Sequence, residues 1–324
     1  MTGAERETLI RTLEADPRGR RERLKKLGIP ASTYYHWRRL YQKGGVAALE
    51  QGVRAPRPGW NRLVAEEEAE VLAEAKAHPE LSPRLLAVKI TDEKPFTVSE
   101  STVYRLLKAR GLVSPRPLPE LPAAKEWRHK TTRVNELWQI DATNLFVAGW
   151  GYYKLIPVLD DFSRKIIAWD LMPDESAGSI SEAVERAVEA VGLKDLDPKP
   201  VLLSDNGPGF ASGPLANHLK AHGIRHIFGK PYHPQTQGKV ERFNRRIKEG
   251  VCLLVYCGPD ELRAALMEAI TRYNATPHEA LKNVSPNDVY EGRQKEILEK
   301  REEKKWWTLA RRKIMNLEPS AKRN

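Results

Sequence analysis

The sequence predicts a multidomain protein in which an all-α N-terminal part precedes an α/β core. Apolar residues in the first 113 positions recur at helical spacing, in segments separated by Gly and Pro. Residues 114–124 contain four prolines, which is typical of a stiff linker. After residue 134, short β-prone apolar runs alternate with helical segments. A chain of 324 residues is long enough for two or three such domains.

The first domain, expected over residues 1–60, has the pattern of a helix-turn-helix. Residues 5–15 have apolar positions at helical spacing, and two further helical segments flank the break at residues 28–30. The last of these helices is rich in Tyr, Trp and Arg, and Trp37 and Leu40 are expected to be buried on one of its faces. The residues expected to approach a DNA groove or its phosphates are Tyr34, Tyr35, Arg38 and Arg39.

A second helix-turn-helix is expected over residues 61–115, followed by a Pro-rich linker over 116–133. Its helices are predicted near 63–77, near 82–93 and from the capping residue Ser99 to Leu107. Ser101, Thr102 and Arg105 are its candidate groove-facing residues. The glutamates within 66–70 are expected to form a solvated face. A helical spacer without DNA contacts is the alternative interpretation.

The α/β core is expected over residues 134–256. Strands are predicted near 137–147, 152–160, 164–172, at 201–203 and near 224–228, and helices near 177–192, 211–221 and 237–252. Asp160 and Asp161 lie at a hairpin, where turn and capping roles are expected. Asp170 and Asp174 are interpreted as surface acids at strand ends.

Three acidic residues in this core are candidates for metal-dependent chemistry. Asp205 follows a buried strand and precedes the turn sequence NGP, and 35 residues separate it from Glu241 on a predicted helix. Asp141 interrupts an apolar run, where a charge is costly to bury unless it is paired or holds a metal. Two Mg²⁺ or Mn²⁺ ions about 4 Å apart, held by such carboxylates, would support phosphoryl transfer.

The arrangement of these acids resembles the DDE triad of insertion-sequence transposases and retroviral integrases. The resemblance covers residues 134–290 and includes the segments WQIDAT, LDDFSRKIIAW, SDNGPGF, HPQTQGKVERFNRRIK and RYNATPHEALKNVSPNDVY. It implies a ribonuclease-H-like core whose metal ligands and catalytic residues are Asp141, Asp205 and Glu241. The His-His-Cys-Cys zinc module that precedes the core of retroviral integrases is missing from the sequence, so the resemblance to integrases is limited to the core.

Further DNA contacts are expected around the helix that carries Glu241. The preceding loop, residues 229–238, combines Gly, Pro and polar residues, and its His233 is a candidate phosphate contact or a structural hydrogen-bonding group. Arg245 and Lys248 follow Glu241 by four and seven residues and therefore share a helical stripe with it. The resemblance implies that basic residues at these two positions contact the DNA end.

A helical, basic C-terminal region is expected over residues 257–324. The chain has a net charge of +11, and residues 293–324 hold 11 Lys and Arg against 5 acids, while residues 1–63 hold 14 against 6. Such excesses suit a polyanion. The tail with Trp306 and Trp307 is interpreted either as a DNA- or partner-binding helix or as a solvated helix with two packed tryptophans.

These features together predict a transposase. It would bind double-stranded DNA at the terminal inverted repeats of a mobile element, cleave a 3′ end and transfer it to target DNA, as a homodimer or larger oligomer. Two cysteines provide no disulfide framework, and no apolar run reaches membrane-spanning length, so a cytoplasmic, nucleoid-associated location is expected. A catalytically silent DNA-binding protein and an RNA–DNA hybrid nuclease are the alternatives. The two helix-turn-helix candidates disfavour the nuclease.

Overall fold

The computed structural model describes residues 1–16, 18–50, 59–113, 130–229 and 238–317. It divides into two compact units, Met1–Arg62 and Leu63–Asn324. Most of the predicted Pro-rich linker and of the loop containing His233 lies outside the described residues. Among the helices that are described, none is long and apolar enough to cross a membrane.

The first unit is a three-helix arrangement around a small apolar core. Its helices are α1 (Gly3–Ala15), α2 (Arg20–Lys26) and α3 (Ala31–Leu49), so the predicted break at residues 28–30 is confirmed. Gly28 has a φ of 66° in the turn between α2 and α3, a left-handed conformation that glycine adopts without steric cost. Tyr34 is fully buried in this core, so the expectation that it approaches DNA is wrong. The core consists of Ile10, Leu13, Leu24, Tyr34 and Leu49.

The second unit begins with three more helices, as predicted. They are α4 (Ala65–Ala77), α5 (Pro83–Glu93) and α6 (Glu100–Ala109). The hydroxyl of Ser99 accepts a hydrogen bond from the amide of Thr102, which confirms its capping role at α6. Apolar side chains from all three helices form one core, which includes Val71, Leu86, Ile90, Phe96, Val103 and Leu107.

A six-stranded mixed sheet forms the centre of the second unit. Its strands are β1 (Leu137–Ile140), β2 (Thr143–Val147), β3 (Gly151–Asp160), β4 (Ile166–Met172), β5 (Val201–Ser204) and β6 (Arg225–Phe228). The long strand β3 pairs antiparallel with β4 on one edge and with both β1 and β2 on the other. Strand β1 pairs in parallel with β5, and β5 pairs in parallel with β6.

Helices cover both faces of this sheet. They are α7 (Ala177–Val191), α8 (Gly213–Ala221), α9 (Gly238–Val251) and α10 (Pro259–Ala275). Side chains of α7 and α8 pack with Trp138 and Ile140 of β1 in one core cluster. Side chains of α9 and α10 pack with Leu155 and Leu159 of β3 in a second cluster. The predicted alternation of helices and strands after the antiparallel strands is therefore confirmed, although four strands rather than three precede α7.

The predicted single strand over residues 137–147 is interrupted in the structure. Strand β1 ends at Ile140 and β2 begins at Thr143, so Asp141 and Ala142 lie between them. The amide of Ala142 donates to Oδ1 of Asp141 rather than to a neighbouring strand. The strand breaks at the position where the sequence places a carboxylate.

Asp170 corrects a second expectation about this region. It is only 1% exposed on β4, where it forms ion pairs with Arg263 at 2.7 Å and Arg186 at 2.6 Å. The prediction of a surface acid was therefore wrong, because the two arginines that compensate its charge come from α7 and α10, which only the tertiary fold brings against β4. Asp160 has the predicted turn role and accepts hydrogen bonds from the amide and hydroxyl of Ser163.

The C-terminal helices return to the helices at the start of the second unit. After α11 (Pro286–Tyr290), the long helix α12 (Gln294–Leu317) places Arg312 2.8 Å from Glu67 of α4. Glu67 is 2% exposed, so the expectation of a solvated glutamate face is wrong at this position. Trp306 and Trp307 of the same helix are both exposed.

Candidate active site

Asp141 and Asp205 lie at adjacent strand ends. Strands β1 and β5 run in parallel, with Gln139 opposite Leu203. Asp141 follows Gln139 by two positions, and Asp205 follows Leu203 by two positions. Neighbouring strands lie about 4.8 Å apart, so the backbones of the two acids are neighbours at one edge of the sheet. Asp141 lies on the same side of β1 as Gln139, facing α9, because side chains alternate along a strand.

The loop that carries Asp205 is closely packed. Oδ1 of Asp205 accepts a hydrogen bond of 2.9 Å from the amide of Gly207, which closes a tight turn. At Gly209, a Cβ atom would lie 2.1 Å from the carbonyl oxygen of Glu175, so only glycine fits between this loop and the start of α7. The glycines of the SDNGPGF segment therefore fix the loop beside the strand end.

Glu241 lies in the first turn of α9, and buried polar contacts hold this turn in place. Lys239 forms an ion pair of 2.7 Å with Asp161, which is 5% exposed at the β3–β4 hairpin. The amide of Val240 donates to Oε1 of Gln139, and Nε2 of Gln139 donates to Asp161. These contacts attach the start of α9 to β1 and the hairpin, which places Glu241 near Asp141.

The three acids are electrostatically coupled. Burial raises the pKa of Asp141, and the negative charge of Asp205 raises it further. Burial also raises the pKa of Glu241, and repulsion from Asp141 adds to this effect. Both effects require short distances, so Asp141 lies near Asp205 and near Glu241.

The acids nevertheless stand apart from one another. Among the described residues, the group of His, Cys, Asp or Glu side chains whose ligand atoms all lie within 4.8 Å of one another does not include any of these three. The three side chains fit a hard divalent cation, because all their donor atoms are carboxylate oxygens and a cation would offset their negative charges.

Asn244 is a member of this site that the sequence analysis missed. Its side-chain amide donates a hydrogen bond of 2.9 Å to Oδ2 of Asp141, and this bond opposes the rise in the pKa of Asp141. Asn244 is 5% exposed, and its Oδ1 is buried without a hydrogen-bond partner. The available signal was its spacing of three residues from Glu241 on a face that otherwise carries Val240, Phe243 and Ile247.

The two predicted basic residues of α9 occupy different positions. Lys248 is close enough to Asp141 for its positive charge to lower the pKa of that carboxyl. Arg245 lines a cleft of about 520 Å³ on a neighbouring face of the helix. A spacing of four residues rotates Arg245 by about 40° from Glu241, toward this cleft.

This cleft, which we call the basic cleft, concentrates positive charge. It is lined by six basic side chains and by the two acids Glu249 and Glu279. Burial and the surrounding arginines lower the pKa of His278 at its edge to about 4. The basic residues come from α5, the β3–β4 hairpin and α9: Arg84, Arg164, Lys239, Arg242, Arg245 and Arg246.

The predicted DNA-binding residues of the first unit differ in accessibility. Tyr35 and Arg39 are exposed on α3. Arg38 is half-buried and forms an ion pair of 2.6 Å with Glu14 of α1. Tyr35 and Arg39 are therefore the more accessible candidates on this helix.

The candidate residues of α6 lie together. Ser101 and Arg105 are exposed and Thr102 is half-buried. The guanidinium of Arg105 donates to the carbonyl oxygen of Ser101 at 3.1 Å. His233, the remaining candidate, lies outside the described residues.

Three family models match the chain. Residues 131–234 match an Integrase core domain model, and residues 222–286 match a second model of the same description. Residues 33–107 match a Homeodomain-like domain model. The two integrase matches together include Asp141, Asp205 and Glu241.

Viral polyproteins are among the relatives of the chain. The Gag-Pol polyprotein of avian reticuloendotheliosis virus is 30% identical over 159 residues, which are 48% of this chain and 13% of the polyprotein. The Pol polyprotein of equine infectious anemia virus (isolate 1369) is 34% identical over 114 residues, which are 35% of this chain and 9% of that protein. The chain thus matches only a small part of the length of each relative.

Solved integrase structures are also similar. The catalytic core domain of HTLV-2 integrase in complex with magnesium is 24% identical, with a TM-score of 0.40, over 49% of this chain and 97% of that one. A simian T-cell lymphotropic virus intasome, in complex with the PP2A regulatory subunit B56 gamma, is 19% identical, with a TM-score of 0.41, over 67% and 74% of the two chains. On the evidence of the family matches, the chain contains an integrase core domain of the DDE type, and a homeodomain-like helical region precedes it.

Proposed function

We propose that this chain is a DDE transposase, a polynucleotidyl transferase that cleaves the 3′ ends of a mobile element and joins them to target DNA. The observation that carries the proposal is that Asp141 and Asp205 follow adjacent parallel strands, while Glu241 lies in the first turn of α9, which is attached to β1 through Val240 and Gln139. Structural acids are usually paired with cations, as Asp170 is with two arginines. Here three carboxylates lie close together within the segments that match the Integrase core domain models.

Asp141, Asp205 and Glu241 would hold two Mg²⁺ or Mn²⁺ ions. When bound, such ions lower the pKa of an attacking water or 3′-hydroxyl and stabilise the leaving oxygen. Asn244 would hold the Asp141 carboxylate in its orientation, and the contacts of Lys239 and Gln139 would keep Glu241 at the edge of the sheet. In the hydrolytic step, water oxygen attacks phosphorus and the P–O3′ bond breaks, leaving a 3′-hydroxyl on the element end and a 5′-phosphate on the flank.

The strand-transfer step would then use that 3′-hydroxyl as the nucleophile on a target phosphodiester. The P–O bond to the target 3′ oxygen breaks, so one bond is exchanged for another and no covalent protein–DNA intermediate is required. The side chains of Tyr35, Arg39, Ser101, Thr102 and Arg105 are our candidates for end recognition. The basic cleft offers a surface for phosphates near α9, because its six basic side chains outnumber its two acids.

The relatives support the rest of this assignment in a coarser form. The similar structures include a trimeric form of an integrase catalytic core in complex with magnesium and an intasome. We infer that this chain likewise uses a divalent metal and acts on double-stranded DNA as a homodimer or larger oligomer. Binding to terminal inverted repeats is our proposal for its specificity.

The experiment uses the full chain and a labelled DNA duplex. The duplex is taken from the DNA beside the coding region and spans the expected boundary between the element end and its flank. With Mg²⁺ we expect a nick that leaves a 3′-hydroxyl at the element end, followed by joined products when target DNA is supplied. The Asp205→Asn variant should bind the duplex without cleaving it. End-specific binding without a nick by the parent protein in either Mg²⁺ or Mn²⁺ would favour a catalytically silent DNA-binding protein. Cleavage confined to an RNA–DNA hybrid would favour the nuclease.

A further inference from the structure

Two histidines and a glutamate form a compact cluster between α7 and α8. Nε2 of His222 lies 3.0 Å from Oε2 of Glu185, and Nε2 of His218 lies 3.3 Å from the same oxygen. The ligand atoms of the three residues all lie within 4.8 Å of one another. His218 and His222 are spaced i, i+4 and therefore lie on one face of α8, next to Glu185 on α7.

The hydrogen bonding of the cluster is incomplete. Nε2 of His218 is shielded from solvent and has no hydrogen-bond partner, although it lies near the Glu185 carboxylate. The two imidazole rings meet edge to face with centroids 4.9 Å apart. A buried nitrogen without a hydrogen-bond partner is unfavourable, and a metal ion bound among the three side chains would give this nitrogen a partner.

The distances in the cluster are close to those around a tetrahedral zinc ion. Zinc binds histidine nitrogen and carboxylate oxygen at about 2.0–2.2 Å, which places neighbouring ligands about 3.3–3.5 Å apart in a tetrahedral site. The nitrogen–oxygen distances from Glu185 to His222 and to His218 are 3.0 and 3.3 Å, so the longer lies in this range and the shorter falls slightly below it. We propose that His218, His222 and Glu185 bind a zinc-class transition-metal ion, with water as the fourth ligand.

This site differs in chemistry and in position from the acidic triad. Two of its three donors are imidazole nitrogens, which suit zinc and other transition metals, whereas three carboxylates suit magnesium. Helices α7 and α8 pack in the cluster with Trp138 and Ile140, whereas α9 packs in the other core cluster. The two sites would therefore be loaded independently and by different metals.

A metal ion in this position would connect the helices on either side of the Asp205 loop. That loop runs from β5 to α8, and its Gly209 packs against Glu175, two residues before the start of α7. The side chains of His222 and Glu185 are 28% and 41% exposed, so an ion can approach the cluster from the side of these two residues. Zinc binding should therefore raise the thermal stability of the folded chain.

The test measures zinc binding to the untagged full chain. Cys252 and Cys257 are exposed thiols and would bind zinc themselves, so both are replaced by Ser, and the acidic triad is blocked with excess Mg²⁺. We expect one zinc ion per chain by isothermal titration calorimetry, and visible d–d absorption typical of a tetrahedral site when Co²⁺ replaces zinc. A hundredfold excess over Kd should raise Tm by about 5 °C or more.

Variants and matched controls locate the ion. His218→Ala and Glu185→Gln should weaken zinc binding at least about 100-fold, because loss of even an outer-shell partner commonly costs 10- to 100-fold. His36→Ala and Glu182→Gln remove an exposed histidine and an exposed glutamate outside the cluster, and should leave affinity unchanged. Circular dichroism verifies that each variant is folded, and Glu185→Gln keeps the side-chain shape. A parent protein that binds no zinc, or cluster variants that bind as tightly as the controls, would overturn the proposal.

Discussion

The side-chain amide of Asn244 donates a hydrogen bond of 2.9 Å to Oδ2 of Asp141 and so connects α9 to the end of β1. A hydrogen bond to a carboxylate stabilises its charged form, which here opposes the effects of burial and of Asp205 on the pKa of Asp141. Asn244 is therefore a positioning residue for the central acid of the proposed site.

Asn244→Ala should lower the cleavage rate about tenfold or more, since a hydrogen bond to a charged group contributes about 1.5–3 kcal/mol. The pKa of Asp141 should also rise, and the acidic limb of the pH–rate profile should move to higher pH. The control is Asn144→Ala, which removes an exposed asparagine from β2. A variant that keeps both the parent rate and the parent pH profile would show that the bond has no role in catalysis.

Metal-free stability should depend on pH through Asp141. Its folded-state pKa is raised above the ordinary value of 3.8, so the folded protein holds this proton more tightly than the unfolded chain does. The stabilising contribution is fully present below pH 3.8 and is lost as pH rises through the raised folded pKa. Asp141→Asn removes that loss, so at neutral pH in EDTA its Tm should equal or exceed that of the parent.

With Mg²⁺ the parent protein should instead have a higher Tm than Asp141→Asn. An ion that binds only the folded state stabilises it, so Mg²⁺ should raise the Tm of the parent protein and have little effect on Asp141→Asn, Asp205→Asn or Glu241→Gln. Differential scanning calorimetry with Mg²⁺ and with EDTA makes the comparison. Each of the three variants should also lose cleavage while retaining end binding. Near-parental cleavage by one variant would remove that residue from the triad.

The sequence was sufficient to predict most of the strand and helix order of the core, because local apolar periodicity and turn residues determine it. The assignment of the three acids drew on the resemblance to DDE enzymes and remains a prediction. The sequence did not indicate which acidic side chains form ion pairs with arginines. Asp170 is paired with arginines from α7 and α10, and Glu67 with Arg312 from the far end of the chain. Such pairs depend on tertiary packing between segments up to 245 residues apart, which no local pattern encodes. Asn244 was missed for a related reason, since its partner lies 103 residues earlier.

Variants of the basic residues on α9 should affect the cleavage rate more than the affinity for the DNA end. Lys248 acts on the pKa of Asp141, and Arg245 lines the basic cleft. Lys248→Ala should slow cleavage several-fold at saturating DNA, and the Arg245→Ala/Lys248→Ala double variant should slow it further. Overall end affinity should fall less, because the candidate recognition residues on α3 and α6 are unchanged. An unchanged cleavage rate in the double variant would show that neither side chain approaches the DNA.

The ion pair between Arg312 and Glu67 should stabilise the second unit. Both residues are nearly fully buried, at 6% and 2% exposure, and Arg312 also donates to the carbonyl oxygen of Thr97. Loss of one partner from a buried pair leaves an uncompensated charge and typically costs about 3–5 kcal/mol. We therefore expect Arg312→Ala to lower the free energy of unfolding by that amount in urea titrations that follow the second unit.

The neighbouring residue provides the control for this prediction. Arg311 forms an ion pair of 3.1 Å with Glu66, but both side chains are largely exposed. Exposed pairs contribute about 0–1 kcal/mol, so Arg311→Ala should have a small effect that is further reduced by salt. The Glu67→Leu/Arg312→Leu double variant should recover most of the stability lost in Arg312→Ala, because it leaves no buried charge. Equal effects of Arg311→Ala and Arg312→Ala would mean that α12 does not bury Arg312 against α4 in solution.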